Sequence, residues 1–188
     1  MSSPTREQAW DTLTRYTKSE ALLRHALAVE ASVRWYARHF GEDEELWGVV
    51  GLLHDLDYER YPDLETGHPR MALAELERRD VDPVVVRAIA SHADFLGVSR
   101  DSPLERTLYA VDELSGFVLA CAYVRPAGLE GLTPKSVKKK LKQPSFAAAV
   151  NREEVRRGAD ELGVDFDEHV AFVIAALQER AGALGVAA

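Results

Sequence analysis

Apolar residues recur along this chain at three- and four-residue steps, the pattern of helices with one buried face. Leu22, His25, Val29, Val33, Tyr36 and Phe40 form one such stripe, on a helix that starts near Ser19 and ends at Gly41. Ser19 suits the N-cap and Gly41 the left-handed turn that closes a helix. A second helix is expected from about Asp43 to Asp55, with Leu46, Val49, Val50 and Leu53 facing inward. Residues 58–67, with Pro62, Asp63 and Gly67, read as a loop, and Pro69 as the first residue of a helix through about Arg79. Pro83 opens the next helix, with Val85, Ile89, His92 and Leu96 on one side and Gly97 closing it.

Ser102-Pro103-Leu104-Glu105 has capping-box spacing and launches a long helix to about Val124. Residues 125–132 form a loop before a helix restarts at Thr133-Pro134. Asn151 to Glu154 and Asp165 to Glu168 repeat the cap-plus-acid pattern before two final helices. No convincing alternating strand pattern, internal repeat or low-complexity tract interrupts the series. The expectation is one all-α domain spanning 1–188, with roughly seven to nine helices.

Several polar residues stand where such helices would place leucine. His25 shares a face with Leu22 and Val29; His54-Asp55 ends the apolar run from Val49 to Leu53; His92 lies between Ile89 and Leu96; Asp112 follows Leu108 by one turn. An inward carboxylate costs several kcal/mol unless a cation or hydrogen bonds compensate it. Any one of these positions is explained by a core hydrogen bond. The ordered set of imidazoles and carboxylates on separate helices is what a metal site supplies.

That order, His25, then His54-Asp55, then Asp112, resembles the HD-domain superfamily of metal-dependent phosphohydrolases. The matching stretches are Arg24-His25-Ala26, residues 52–57 and residues 110–113. The resemblance covers a core of about 19–125. The C-terminal helical extension of about 133–185 resembles the region appended to small stand-alone bacterial HD hydrolases. It implies that His25, His54, Asp55 and Asp112 bind a divalent metal, and that His68 and His92 bind a second ion bridged to the first by Asp55. A six-ligand nitrogen and oxygen set without cysteine favours Fe or Mn, with Mg, Co, Ni or Zn as further candidates.

The implied function is cleavage of a phosphoester or phosphoanhydride in a small phosphorylated metabolite or nucleotide by metal-activated water. Asp55 and Asp57 would be the catalytic carboxylates, and Asp57 and Glu59 follow the His-Asp pair closely enough to support ligands or carry protons. Arg24, Arg125, Lys135 and Lys138 are candidate phosphate anchors. Asp57-Tyr58 replaces the Gly-Lys of HD-type cyclic-dinucleotide hydrolases, and Tyr58 replaces the acidic residue of HD-type deoxynucleoside monophosphatases. What remains is similar to HD-type symmetrical dinucleoside tetraphosphate hydrolases. Two alternatives share the ligand set: a diiron HD-type oxygenase, and a non-catalytic regulatory module that keeps the metal as a pin.

Composition narrows this picture. The 188 residues carry 23 basic and 31 acidic side chains, a net charge of −8 that argues against general nucleic-acid binding. The exception is Lys135, Lys138, Lys139, Lys140 and Lys142, which read as a solvated helix face. The longest apolar runs, residues 117–124 and 170–177, fall far short of the ~18 residues a membrane span needs. The first residues lack the apolar core of a signal peptide, so a cytoplasmic location is expected. Cys121, alone in an apolar run, reads as core packing, as do His39 and His169 as structural histidines. Apolar stretches near the C-terminus are compatible with a homodimer.

Overall fold

The computed structural model describes residues 3–187 and is entirely helical in its regular elements. Among these residues the helices are α1 (Arg6–Tyr16), α2 (Glu20–Phe40), α3 (Glu44–Leu53), α4 (Arg70–Arg78), α5 (Pro83–Ser91), α6 (Pro103–Tyr123), α7 (Pro134–Leu141), α8 (Arg152–Leu162), α9 (Phe166–Gln178) and α10 (Ala181–Leu184). None is long and apolar enough to cross a membrane. The all-α expectation holds, but ten helices replace seven to nine.

The additions lie at the two ends. Helix α1 has a capping box, Thr5 accepting from Gln8 N–H while the Gln8 side chain accepts from Thr5 N–H. Only Ala9, Thr12 and Leu13 of α1 are buried, too few to make a clear stripe. Trp10 and Tyr16 pack partly buried against the core, and ion pairs add to that hold. Arg6 donates to both oxygens of the buried Glu30 at 2.6 and 2.8 Å, and Arg34 joins Glu30 to Glu45 at the start of α3. Helix α10 is a single turn packed on α2 and α9.

Two 21-residue helices, α2 and α6, form the frame, with α3 and α9 packed on α2 and α8 packed on α6. Ser115 donates to Ser32 across the α2–α6 contact at 2.9 Å, while Ser32 donates to Ala28 O. This fixes the register of the two helices that carry His25 and Asp112. Helix α3 crosses α2 at Gly51, where an added Cβ would stand 2.8 Å from the Glu30 Cα. A glycine at this point lets the C-terminal end of α3 approach the middle of α2.

His169 on α9 is sealed in the core. Its Nε2–H donates to Ala110 O at 3.0 Å and its Nδ1 accepts from the Tyr36 hydroxyl at 2.7 Å. Burial pushes its pKa down to about 4, against the weaker pull of the Ala110 carbonyl. The folded protein therefore keeps His169 neutral where the unfolded chain, titrating at 6.5, takes a proton. Stability is lost as pH falls from about 6.5 toward 4, at ~1.4 kcal/mol per pH unit. In urea unfolding, the wild type is expected to lose ~2 kcal/mol between pH 7 and pH 5 that His169→Gln retains.

Candidate metal centre

Helix ends and the middle of the frame together gather six side chains. Helix α3 stops at His54, its C-cap, and residues 54–61 wind on through a series of turns with Leu56 buried as their anchor. This brings Asp55 and Asp57 out on different sides. The loop that follows closes on itself, with His68 N–H donating to Tyr61 O at 2.8 Å. Gly67 permits that closure, because a Cβ there would lie 2.4 Å from the same carbonyl. His68 is thereby delivered just before α4, where Pro69 is the N-cap and not, as expected, the first helical residue, which is Arg70.

Helix α5 ends earlier than its periodicity predicts. His92 is its C-cap, and residues 94–96 form a separate 3-10 turn closed by Gly97 in the left-handed conformation. The break turns the His92 ring inward and carries Asp94 and Phe95 to the cleft. Leu96 therefore does not extend the α5 stripe.

Asp55 lies at the middle of the cluster. Its Oδ2 faces His54 Nε2 at 3.5 Å and His25 Nε2 at 3.7 Å, and its Oδ1 faces His68 Nε2 at 3.4 Å and His92 Nε2 at 3.6 Å. Asp112 Oδ1 completes the first group, 3.1 Å from His25 Nε2 and 3.3 Å from His54 Nε2. Two triads, His25–His54–Asp55 and Asp55–His68–His92, have donor atoms close enough to hold an ion, and they share Asp55.

The donors suit a divalent metal. His54 Nδ1–H donates to Gly51 O at 2.8 Å, His68 Nδ1–H to Asp57 Oδ1 at 2.7 Å and His92 Nδ1–H to Ile89 O. Each acceptor holds the proton on Nδ1 and leaves the Nε2 lone pair turned toward the carboxylates, the arrangement that orients metal-binding imidazoles. His25 Nε2 and His54 Nε2 approach to 3.3 Å, which two lone pairs do not tolerate without a cation or a proton between them. Ligands ~2.1 Å from a common ion stand roughly 3.0–3.5 Å apart, close to the spacings found here. Among the described residues this is the place where the six expected ligands meet.

Burial opposes charging His54, but facing Asp55 and Asp112 it reaches a pKa of about 9. His92 is raised against the same burial by its contact with Asp55 and the charge of Asp112. Burial likewise opposes charge on Asp55 and Asp112, yet the imidazoles, His54 foremost, hold both below the usual carboxylate range.

Other expected site residues fall differently. Asp57 is corrected from catalytic group to positioning residue. It is fully buried, with Oδ1 accepting from His68 and Oδ2 accepting from Ala72 N–H at 2.7 Å, and so does not face the cleft. Glu59 accepts from Lys18 and Ser19 N–H ahead of α2. None of the four expected phosphate anchors lines the cleft. Arg24 pairs with Glu20 and lies over Tyr123, Arg125 donates to Gly128 O and Glu130 O, Lys138 pairs with Asp167 at 2.6 Å, and Lys135 is exposed on α7.

The cleft beside the cluster has a volume of about 400 Å³, in the range of small-molecule sites. His25, Asp55 and Asp112, each about a fifth exposed, open onto it with His68 and His92, while His54 is sealed behind. The sequence reading missed Glu113 and Glu154, which also line it. Burial first, then the neighbouring Asp112, push the Glu113 carboxyl up to about 7, and Glu154 is raised by burial and by Asp94. Their only sequence signal is position, Glu113 next to Asp112 and Glu154 three residues after the Asn151 cap.

Comparison with known proteins gives two matches and one absence. The family profile described as HD domain matches residues 22–116, just over half the chain. A ribonuclease Y of Rhodopirellula baltica (strain DSM 10527 / NCIMB 13988 / SH1) is 34% identical over 80 residues, 43% of this chain and 15% of that protein's length. No solved structure matches significantly.

If Asp57 aligns His68, Asp57→Ala is expected to weaken uptake of one metal equivalent 10–100-fold while leaving the other unchanged. Titration of metal-free protein with Mn(II), read by calorimetry, checks this.

Proposed function

Because the chain belongs to the HD-domain family, we propose that it is a phosphohydrolase holding two divalent ions, and that it cleaves a phosphoester or phosphoanhydride of a small metabolite or nucleotide. The observation that carries the reading is the two-sided environment of Asp55, with one oxygen toward His25 and His54 and the other toward His68 and His92. His25, His54, Asp55 and Asp112 would hold one ion; Asp55, His68 and His92 would hold the other. Bound there, a divalent pair polarises phosphoryl oxygens and activates water for attack at phosphorus.

The chain's own residues account for the rest. Asp55 fixes the spacing of the two halves. Gly51 O, Asp57 and Ile89 O hold three rings in register, so that little reorganisation is needed when substrate enters. His54 seals the floor against solvent, while the cleft admits the phosphoryl group from the side of His25, His68 and Asp112. The matched ribonuclease Y acts, by its name, on RNA. The match spans a small part of that protein, and among the described residues no lysine or arginine lines this cleft to follow a phosphate backbone.

Protein purified without chelator is expected to carry two metal equivalents per chain, falling toward one in His68→Ala and in His92→Ala. Mn- or Fe-loaded wild type is expected to release phosphate from small phosphorylated compounds without consuming oxygen, with each variant lowering kcat at least 100-fold. Iron-loaded protein whose turnover depends on and consumes oxygen would instead identify the diiron oxygenase alternative. Full loading with no turnover of any phosphorylated compound would favour the regulatory one.

A further inference from the structure

The cleft's lining is at odds with a polyanionic ligand. Among the described residues its lining has no lysine or arginine, whereas Glu113 and Glu154 both belong to it. Asn151 sets the two in place, its backbone N–H donating to Glu113 Oε2 at 3.1 Å and its side-chain amide to Glu154 Oε1 at 2.6 Å. One hydrogen bond to each carboxyl group leaves most of its acceptor capacity unused. Asp94, the third acid of the lining besides Asp55 and Asp112, is by contrast engaged by Arg100, Tyr109 and Arg157.

Much of the remaining lining is apolar. Tyr58, Leu64 and Phe95 are 40%, 50% and 47% exposed, among the most exposed large hydrophobic residues of the chain, and all three border this one cleft. Exposed apolar residues scattered singly need no explanation, but several on one concave site mark a ligand surface. The cleft thus has a metal-ligand cluster, a pair of under-used carboxyl groups and an apolar border between solvent and both.

The lining suits a ligand with two unlike ends. Two divalent ions held by Asp55 and Asp112 would leave about two positive charges at the centre, and Glu113 and Glu154 set a pair of carboxyl acceptors nearby. Resting on the phosphohydrolase reading, we infer that the substrate is a small phosphorylated amine. Its single phosphoryl group meets the centre, and its ammonium group donates to Glu113 and Glu154, which determine specificity. Polyphosphate chains bring additional negative charge that no side chain in the lining offsets, so the dinucleoside polyphosphates suggested by sequence likeness are disfavoured.

Matched, non-hydrolysable ligands test this by binding alone. On Mn-loaded protein, calorimetry with 3-aminopropylphosphonate and propylphosphonate compares two ligands that differ only in the amine, with inorganic phosphate as reference. The wild type is expected to bind the amine at least tenfold more tightly. That preference should fall below threefold in Glu113→Gln and in Glu154→Gln, with phosphate affinity changed less than twofold. Equal affinity for the two phosphonates in the wild type, or a preference that survives the double variant, would overturn the inference and leave the phosphohydrolase reading standing. Failure of all three ligands, phosphate included, to bind metal-loaded wild type would overturn both.

Discussion

A carboxylate surrounded by four imidazoles is unstable company for a hydrophobic core unless positive charge lies among them. Asp55 is in that position, with His25 and His54 toward one oxygen and His68 and His92 toward the other. Removing a carboxylate from water costs several kcal/mol, and leaving it without a partner costs more. Much of the surrounding architecture follows from meeting that demand. Helices α2 and α3 cross closely enough at Gly51 to put His54 against His25, and a serine pair locks α6 so that Asp112 reaches both.

The ligands divide between two mechanical settings. His25 and Asp112 lie within long helices that the core holds rigidly, whereas His54 and His92 sit at helix C-caps and His68 directly precedes an N-cap residue. Helix ends allow a side chain to turn inward without bending a helix. The C-terminal ends of α3 and α5 also direct the negative ends of their dipoles toward the cluster, which favours a cation there. Buried acceptors then fix three rings: two carbonyls within the same helical turns, and Asp57 across the loop.

Most helices were legible because their caps are. Ser19, Ser102 with Glu105, Thr133, Asn151 and Asp165 all take the capping roles that their spacing implies. Helix α1 escaped because its few apolar contacts are supplemented by the Arg6–Glu30 pair, which leaves no periodic trace. The end of α5 was hidden because Leu96 continues the period past the point where His92 turns away. The six ligands were readable as polar interruptions of apolar faces. Their grouping around Asp55 depends on packing that no local pattern records.

The cleft was the least legible feature. Glu113 and Glu154 look like ordinary solvent-facing acids of α6 and α8 until the turn at Asn151 draws them together. Arg24, Arg125, Lys135 and Lys138 drew attention by charge alone, and the fold sends all four elsewhere. On this account the bridging role of Asp55 is the central claim. Electron paramagnetic resonance of protein loaded with two equivalents of Mn(II) tests it most directly. An exchange-coupled spectrum that collapses to isolated Mn(II) in Asp55→Ala is predicted. An uncoupled six-line spectrum from fully loaded wild type would contradict it.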